Sequence, residues 1–289
     1  MLQLHIAIFL AGFTAILGKL ISLSEAPLVW WRLLITVLVL WVFIRVSKRQ
    51  GPAHSKLLTN QAVGVGALVG LHWLTFFASV KFANVSIALI CFSSSGFFSS
   101  LIEPTISRKK YSPLEMGLGI MSMLGIYIIF QFDSRYKAGI AFGVACAFLS
   151  ALFSVLNKRL VHQMDGISIT RYEMLGAFGI LSLILPFYLF FGHASFWPVG
   201  WDWLWLIILA VICTVWAFIL QLKALHHISA FTLNISYNLE PVYGIVLAFI
   251  LFKENEHLHI SFYLGAFLIM MAILIQMYSI KRKRRLGQT

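Results

Sequence analysis

The chain has 289 residues, of which 60% are hydrophobic and only 11% charged, and its mean hydropathy is +0.90. A soluble domain carries about 25% charged residues, so this composition excludes one and points to an all-α polytopic membrane protein. A net charge of +12 would suggest nucleic acid in a soluble chain, but here the basic residues fall in short loops and the final stretch, where topogenesis explains them.

The first hydrophobic run, residues 2–22, lacks a basic leader and a small-residue cleavage signal and reads as a retained helix. The second, 27–46, is entered through Trp30 and Trp31, aromatics of the kind that sit at membrane interfaces. Further runs cover about 60–80, 84–107, 114–131, 138–160, 171–192, 203–225, 229–252 and 258–280. Ten transmembrane helices are therefore expected, joined by loops too short to form a soluble domain. Placing the N-terminus in the cytoplasm puts 16 of the 22 Lys and Arg residues inside, including Lys281 to Arg285. Five fall outside (Lys19, Lys81, Arg135, Lys137, Lys253), and Arg32 lies within a helix. Both termini are expected to be cytoplasmic. Cys91, Cys146 and Cys213 lie in hydrophobic runs at unrelated spacings, so neither a disulfide framework nor a metal site follows.

The two halves echo each other. Ser79–Leu89 and Ala224–Leu233 align so that Gly96 matches Pro241, a shift of 145, and Gly117 matches Gly265, a shift of 148. Five helices per half is odd, so the second half must enter from the opposite side. The chain reads as two inverted five-helix repeats, 1–131 and 138–280, in a single transmembrane domain, with a basic tail over 281–289.

The most informative stretch is Phe231–Gly244. Glu240 lies about 16 Å in from Ser229, near the middle of a hydrocarbon core about 30 Å thick. A carboxylate there costs about 2.5–3.5 kcal/mol and defaults to a functional reading, against the alternative of a polar seam that glues helices. Pro241 follows and predicts a kink. Asn234, Tyr237, Asn238 and Pro241 share one face at i, i+3, i+4, i+7, the depth at which transporters bind substrate. In segment four, Ser95, Ser99 and Glu103 form one polar stripe. Ser93, Ser94 and Phe97 form the neighbouring face, which the repeat sets opposite Asn238 and which is read as cavity lining. Arg32 either snorkels outward beside the tryptophans or faces inward to neutralise a carboxylate, that of Glu240 or of a substrate. Glu173, its counterpart at a shift of 141, is read as pairing with Arg171 or solvent. Gly66-x3-Gly70 and Gly139-x3-Gly143 are helix-packing motifs.

This layout resembles the drug/metabolite transporter superfamily in its ten-helix EamA-type branch. The resemblance spans nearly the whole chain. Its carriers are Pro27-x4-Arg32, the Ala- and Ser-rich passage into segment four, Leu239-Glu240-Pro241, and Lys253-Glu254 leading to Gly265. The first half departs from the pattern: Gly96 stands where proline is expected, and Arg108-Lys109-Lys110 where an acidic turn is usual. The resemblance implies a central cavity lined by segments one, three, four, six, eight and nine, with five and ten peripheral. On those cavity helices His72 with Trp73, and Trp216 with Gln221, are aromatic-plus-polar pairs that either line the cavity or pack.

The expected function is a secondary transporter in the cell (inner or plasma) membrane. It moves a small organic metabolite, amino-acid-like or amphipathic, by alternating access, with import and export both open. Membrane lipid and the small-molecule substrate are the expected partners, with proton coupling, exchange and uniport all open. No cofactor is expected, since the chain shows no nucleotide-binding loop or metal set. The other readings are an intramembrane enzyme, for which only His72 offers a second group beside Glu240, and a channel.

Overall fold

Backbone amides that enter lipid must be satisfied within their own segment, so long apolar runs fold as helices. The structure, a computed structural model, describes residues 2–46, 54–108, 110–132, 134–192, 195–237 and 239–285. Its helices are α1 (Leu2–Leu20), α2 (Glu25–Val46), α3 (Lys56–Phe82), α4 (Val85–Phe92), α5 (Ser95–Ser107), α6 (Pro113–Phe132) and α7 (Lys137–Leu160). They continue with α8 (Gly166–Gly192), α9 (Asp202–Ala210), α10 (Ala217–His227), α11 (Ala230–Tyr237), α12 (Glu240–Phe252) and α13 (Ile260–Arg285). A π-helical turn, Val211–Trp216, joins α9 to α10 in one continuous span. Among the described residues, seven spans are long and apolar enough to cross a membrane, and shorter apolar helices at Leu4–Leu20, Pro113–Ile129 and Glu240–Phe252 bring the segments to ten. Large apolar side chains such as Trp41, Phe187, Phe190, Ile250 and Phe267 stand exposed on the outside of the bundle, as lipid-facing residues do. The chain is a polytopic all-helical membrane protein.

Two segments are not single helices. Segment nine breaks between Tyr237 and Glu240, so Pro241 sits in the first turn of a new helix, where its missing N–H is harmless. A kink was expected there; Leu239 keeps helical dihedrals, and its amide donates to the Ser236 carbonyl at 3.2 Å, in a tight turn between the two helices. Segment four breaks at Ser93–Ser94 without any proline. There Ser94 Oγ donates to the Cys91 carbonyl (2.7 Å) and Ser93 Oγ to that of Leu89 (3.2 Å), each beside the backbone amide of the same serine.

The breaks occur at equivalent places. Val85 to Ala230 and Ser95 to Glu240 are both steps of 145, and the paired helices have equal lengths, eight and 13 residues. Their caps correspond as well. Asn84 Oδ1 accepts from the Ile87 amide at 2.8 Å, and Ser229 Oγ accepts from the Thr232 amide at 3.0 Å. Both second half-helices end on a left-handed residue, Arg108 (φ 53) and Lys253 (φ 52).

Glycines let the backbones meet. A Cβ on Gly66 would stand 2.1 Å from the Glu173 carbonyl oxygen, and one on Gly143 would stand 2.6 Å from the Cys91 Cβ. The peripheral helices α6 and α13 meet the same way: a Cβ on Gly125 would lie 2.6 Å from the Gly265 carbonyl oxygen, and the reverse distance is 2.4 Å.

Candidate functional site

The two ends of the bundle are fastened differently. At one end Glu254, just beyond α12, is 3% exposed and reaches across to α4. Its Oε1 accepts from the Val85 amide (3.1 Å) and from Lys19 Nζ of α1 (2.7 Å). Its Oε2 accepts from the Ser86 amide (2.9 Å) and hydroxyl (2.7 Å). A carboxylate on the first turn of a helix also meets the positive end of the helix dipole. Beside it, Lys81 Nζ donates to the Ile21 carbonyl, and the Ser22 amide and hydroxyl donate to Asp202. At the other end Lys158 donates to the Leu225 carbonyl (2.8 Å), and Arg159 to that of Ile106. Those ties run from a cation to a neutral carbonyl.

Between the two ends lies a cavity of ≈ 70 Å³. Thr14 of α1, Arg32 of α2, and His72 and Trp73 of α3 line it. So do Phe92 of α4, Ser150 and Phe153 of α7, Cys213 of the π turn, Phe218 and Gln221 of α10, Tyr237 of α11 and Glu240 of α12. Neither α6 nor α13 contributes a residue. The wall is mainly aromatic, with polar groups from both halves of the chain.

Glu240 is the first residue of α12 and is 4% exposed. Among the described residues it has no hydrogen-bond or ion-pair partner. Tyr237 donates its hydroxyl to Gln221 Oε1 at 3.1 Å, tying α11 to α10 across the cavity wall. His72 Nδ1 lies 3.0 Å from the Cys146 carbonyl, which only accepts, so Nδ1 is the protonated nitrogen. Arg32 faces inward, 2% exposed, which removes the snorkelling alternative. Its guanidinium stacks 3.9 Å over the Trp73 ring, and its Nε donates to Thr214 Oγ1 at 2.7 Å. It pairs with no carboxylate among the described residues, Glu240 included.

The structure thus brings together six of the sequence candidates: Arg32, His72, Trp73, Gln221, Tyr237 and Glu240. Others lie elsewhere. Ser93 and Phe97 border a separate gap of ≈ 20 Å³ against α6 and α13, with the Phe97 ring over Gly119. Ser94 is fully buried on its bond to Cys91. The break after Phe92 resets the helical phase, so Phe92 takes the cavity position expected of the Ser93–Phe97 face. Trp216 is half exposed on the outside of segment eight. It lies five residues from Gln221, about 140° away around a helix, so the two cannot share a face. The side chain of Asn234, and Asn238 altogether, fall outside the described residues. Glu173 is fully buried, accepts from Asn157 Nδ2 at 3.3 Å and leaves Oε1 without a partner, so it pairs with neither Arg171 nor solvent. Sequence reading passed over Thr14, Ser150 and Phe153, which carry no marker beyond helical spacing, and Thr214, whose place depends on the π turn.

Residues 137–278 match the EamA-like transporter family. That stretch, the second half of the chain, belongs to the family. An archaeal relative, described as an uncharacterized transporter of Archaeoglobus fulgidus, is 24% identical over 88% of this chain and 89% of its own length. Human solute carrier family 35 member F3 is 26% identical over 49% of this chain, a stretch that spans 35% of the human protein. One solved crystal structure superposes with a TM-score of 0.66, covers 94% of both chains and is 16% identical, which speaks for the fold alone. Family and relatives agree on a membrane transporter.

Proposed function

We propose that this protein is a secondary carrier of a small organic metabolite, working by alternating access around the Arg32–Glu240 cavity. One observation carries the reading. The cavity sits where the broken helices of both halves meet, and at ≈ 70 Å³ it is too small for a metabolite. A water occupies roughly 30 Å³ and ligand pockets run about 300–1,000 Å³. A substrate enters only if the bundle opens at one end, and the two ends are fastened by separate sets of contacts. Broken helices at the membrane midplane are the usual seat of substrate and coupling-ion sites. Glu240, with no partner among the described residues, is the group that exchanges a proton during the cycle. An intramembrane enzyme gains nothing here: His72 is committed through Nδ1 to Cys146, and among the described residues no second carboxylate lines the cavity.

The test is counterflow of labelled candidates, amino-acid-like and amphipathic, in liposomes. Saturable counterflow is expected, and Ser150→Phe, which fills the cavity, should abolish it in correctly inserted protein. Ohmic current without saturation would make the protein a channel.

The basic residues support an orientation with both termini in the cytoplasm of a cell-membrane protein, which sets the Glu254 end outside. Single cysteines at Ser47 and Ser195, in protein stripped of its three native ones, should label from opposite sides. Labelling of both from one side overturns the ten-segment topology.

A further inference from the structure

Arg32 is held in place but left electrically unanswered. Thr214 fixes it at Nε, and Thr214 can do so because the π turn widens the helix: its hydroxyl accepts from Arg32 and donates to the Leu209 carbonyl, five residues back, at 2.7 Å. Trp73 supports the flat face of the guanidinium at 3.9 Å, and Phe77 lies 5.7 Å away. Nη1 is buried and has no hydrogen-bond partner. Buried donors are paired as a rule, and charged ones most strictly. A planar fork of donors, pre-set in orientation, desolvated and lining the central cavity, lacks only an acceptor.

We propose that Arg32 receives the carboxylate of the transported molecule, with the apolar body of that molecule against Phe76, Phe92, Phe153 and Phe218. The inference rests on the cavity being the substrate site and adds the chemical class of the substrate. A carboxylate suits the fork, because guanidinium and carboxylate meet through two parallel hydrogen bonds. A phosphate suits it less. A second negative charge would need a second cation, and among the described residues no lysine or other arginine lines the cavity, while His72 already spends its Nδ1 proton on Cys146. Thr214 and the π turn are then positioning elements, which hold the fork at a set angle whether the site is full or empty.

The experiment uses matched pairs of an acid and its amide, such as 3-phenylpropionate with 3-phenylpropanamide and 4-methylpentanoate with 4-methylpentanamide. Binding to the purified full chain in detergent is read by ligand-induced thermal shift. Wild type should bind each acid at least about tenfold more tightly than its amide, the scale of one charge-assisted pair. Arg32→Gln should bring acid and amide to within about twofold, and Arg32→Lys should fall between, since lysine keeps the charge but loses the fork. The lysine variant guards against a glutamine variant that fails to fold. Equal binding of acid and amide by wild type, an acid preference that survives in Arg32→Gln, or no binding of any acid would each overturn the proposal. Ser150→Phe separates the two levels. Where wild type binds acid and amide equally, loss of that binding in Ser150→Phe leaves the cavity standing and defeats only the role of Arg32; acid binding that the variant leaves untouched defeats the cavity as well.

Discussion

Glu240→Gln is expected to reduce transport driven by a pH gradient to the background of empty liposomes while substrate-for-substrate exchange persists. Glutamine matches the shape of a protonated glutamate and cannot release the proton. A carrier that cycles empty must shed or take up that proton on the way back, whereas exchange needs no empty return. The structure makes the residue suitable for this. Glu240 opens α12, lines the cavity and meets no cation or hydrogen-bond donor among the described residues, so no protein group locks it in one protonation state. Two other outcomes are distinct. If the carboxylate grips a cationic group of the substrate, glutamine should remove exchange, net transport and any ligand-induced thermal shift together. If Glu240 only glues helices, both modes should continue near the wild-type rate, and that result ends its functional role. Liposomes with equal amounts of inserted protein, assayed in both modes, decide among the three.

Glu254→Ala is expected to destabilise the resting conformer by about 2–4 kcal/mol and to open the bundle at that end. The substitution strands four donors at once: the Val85 and Ser86 amides, the Ser86 hydroxyl and Lys19 Nζ. The ion pair with Lys19 contributes a modest part, since that lysine is about a third exposed and solvent screens it. The amides of α4 contribute more, because they are buried at a helix start and lose their charged cap. Glu254→Gln, which keeps one accepting oxygen, should fall between. A cysteine at Thr14, inside the cavity, is the reporter: in the Glu254→Ala background it should react faster with a membrane-impermeant reagent added on the Lys19 side. Unchanged reactivity with a lowered melting temperature would mean that the carboxylate stabilises the fold without gating the cavity.

The ten segments and the membrane setting were legible in the sequence because lipid leaves an apolar run of about 20 residues one way to satisfy its backbone. The break in segment nine was half legible. Pro241 marked it, but a proline tells of a missing donor and not whether the chain bends or stops. The break in segment four had only Ser93-Ser94 as a sign, and serine hydroxyls bond back to helix carbonyls in an unbroken packed helix just as they do at a break. The π turn had no sign at all: nothing in Val211–Trp216 separates it from an ordinary apolar helix, and its consequences, the place of Thr214 and the outward face of Trp216, were hidden with it. Arg32 could not be placed from its neighbours in sequence, because burial or snorkelling depends on whether a ring such as that of Trp73, from another helix, waits beneath it. Glu240 was legible by depth alone.

The contact between Gly125 and Gly265 bears on how such a protein moves. Packed helices slide when side chains can exchange one set of grooves for another. Where backbone rests on backbone, with Ile129 and Ile269 wedged beside it, there is one seat and no second to move to. In the cycle proposed above, the pair α6–α13 would act as a stator, a fixed frame against which the eight inner segments rock. That rocking would be absorbed where each inner half-helix hands over to the frame. Those handovers begin at Arg108 and Lys253, the two non-glycine residues with left-handed backbone among those described, which are the pivots such a cycle would use.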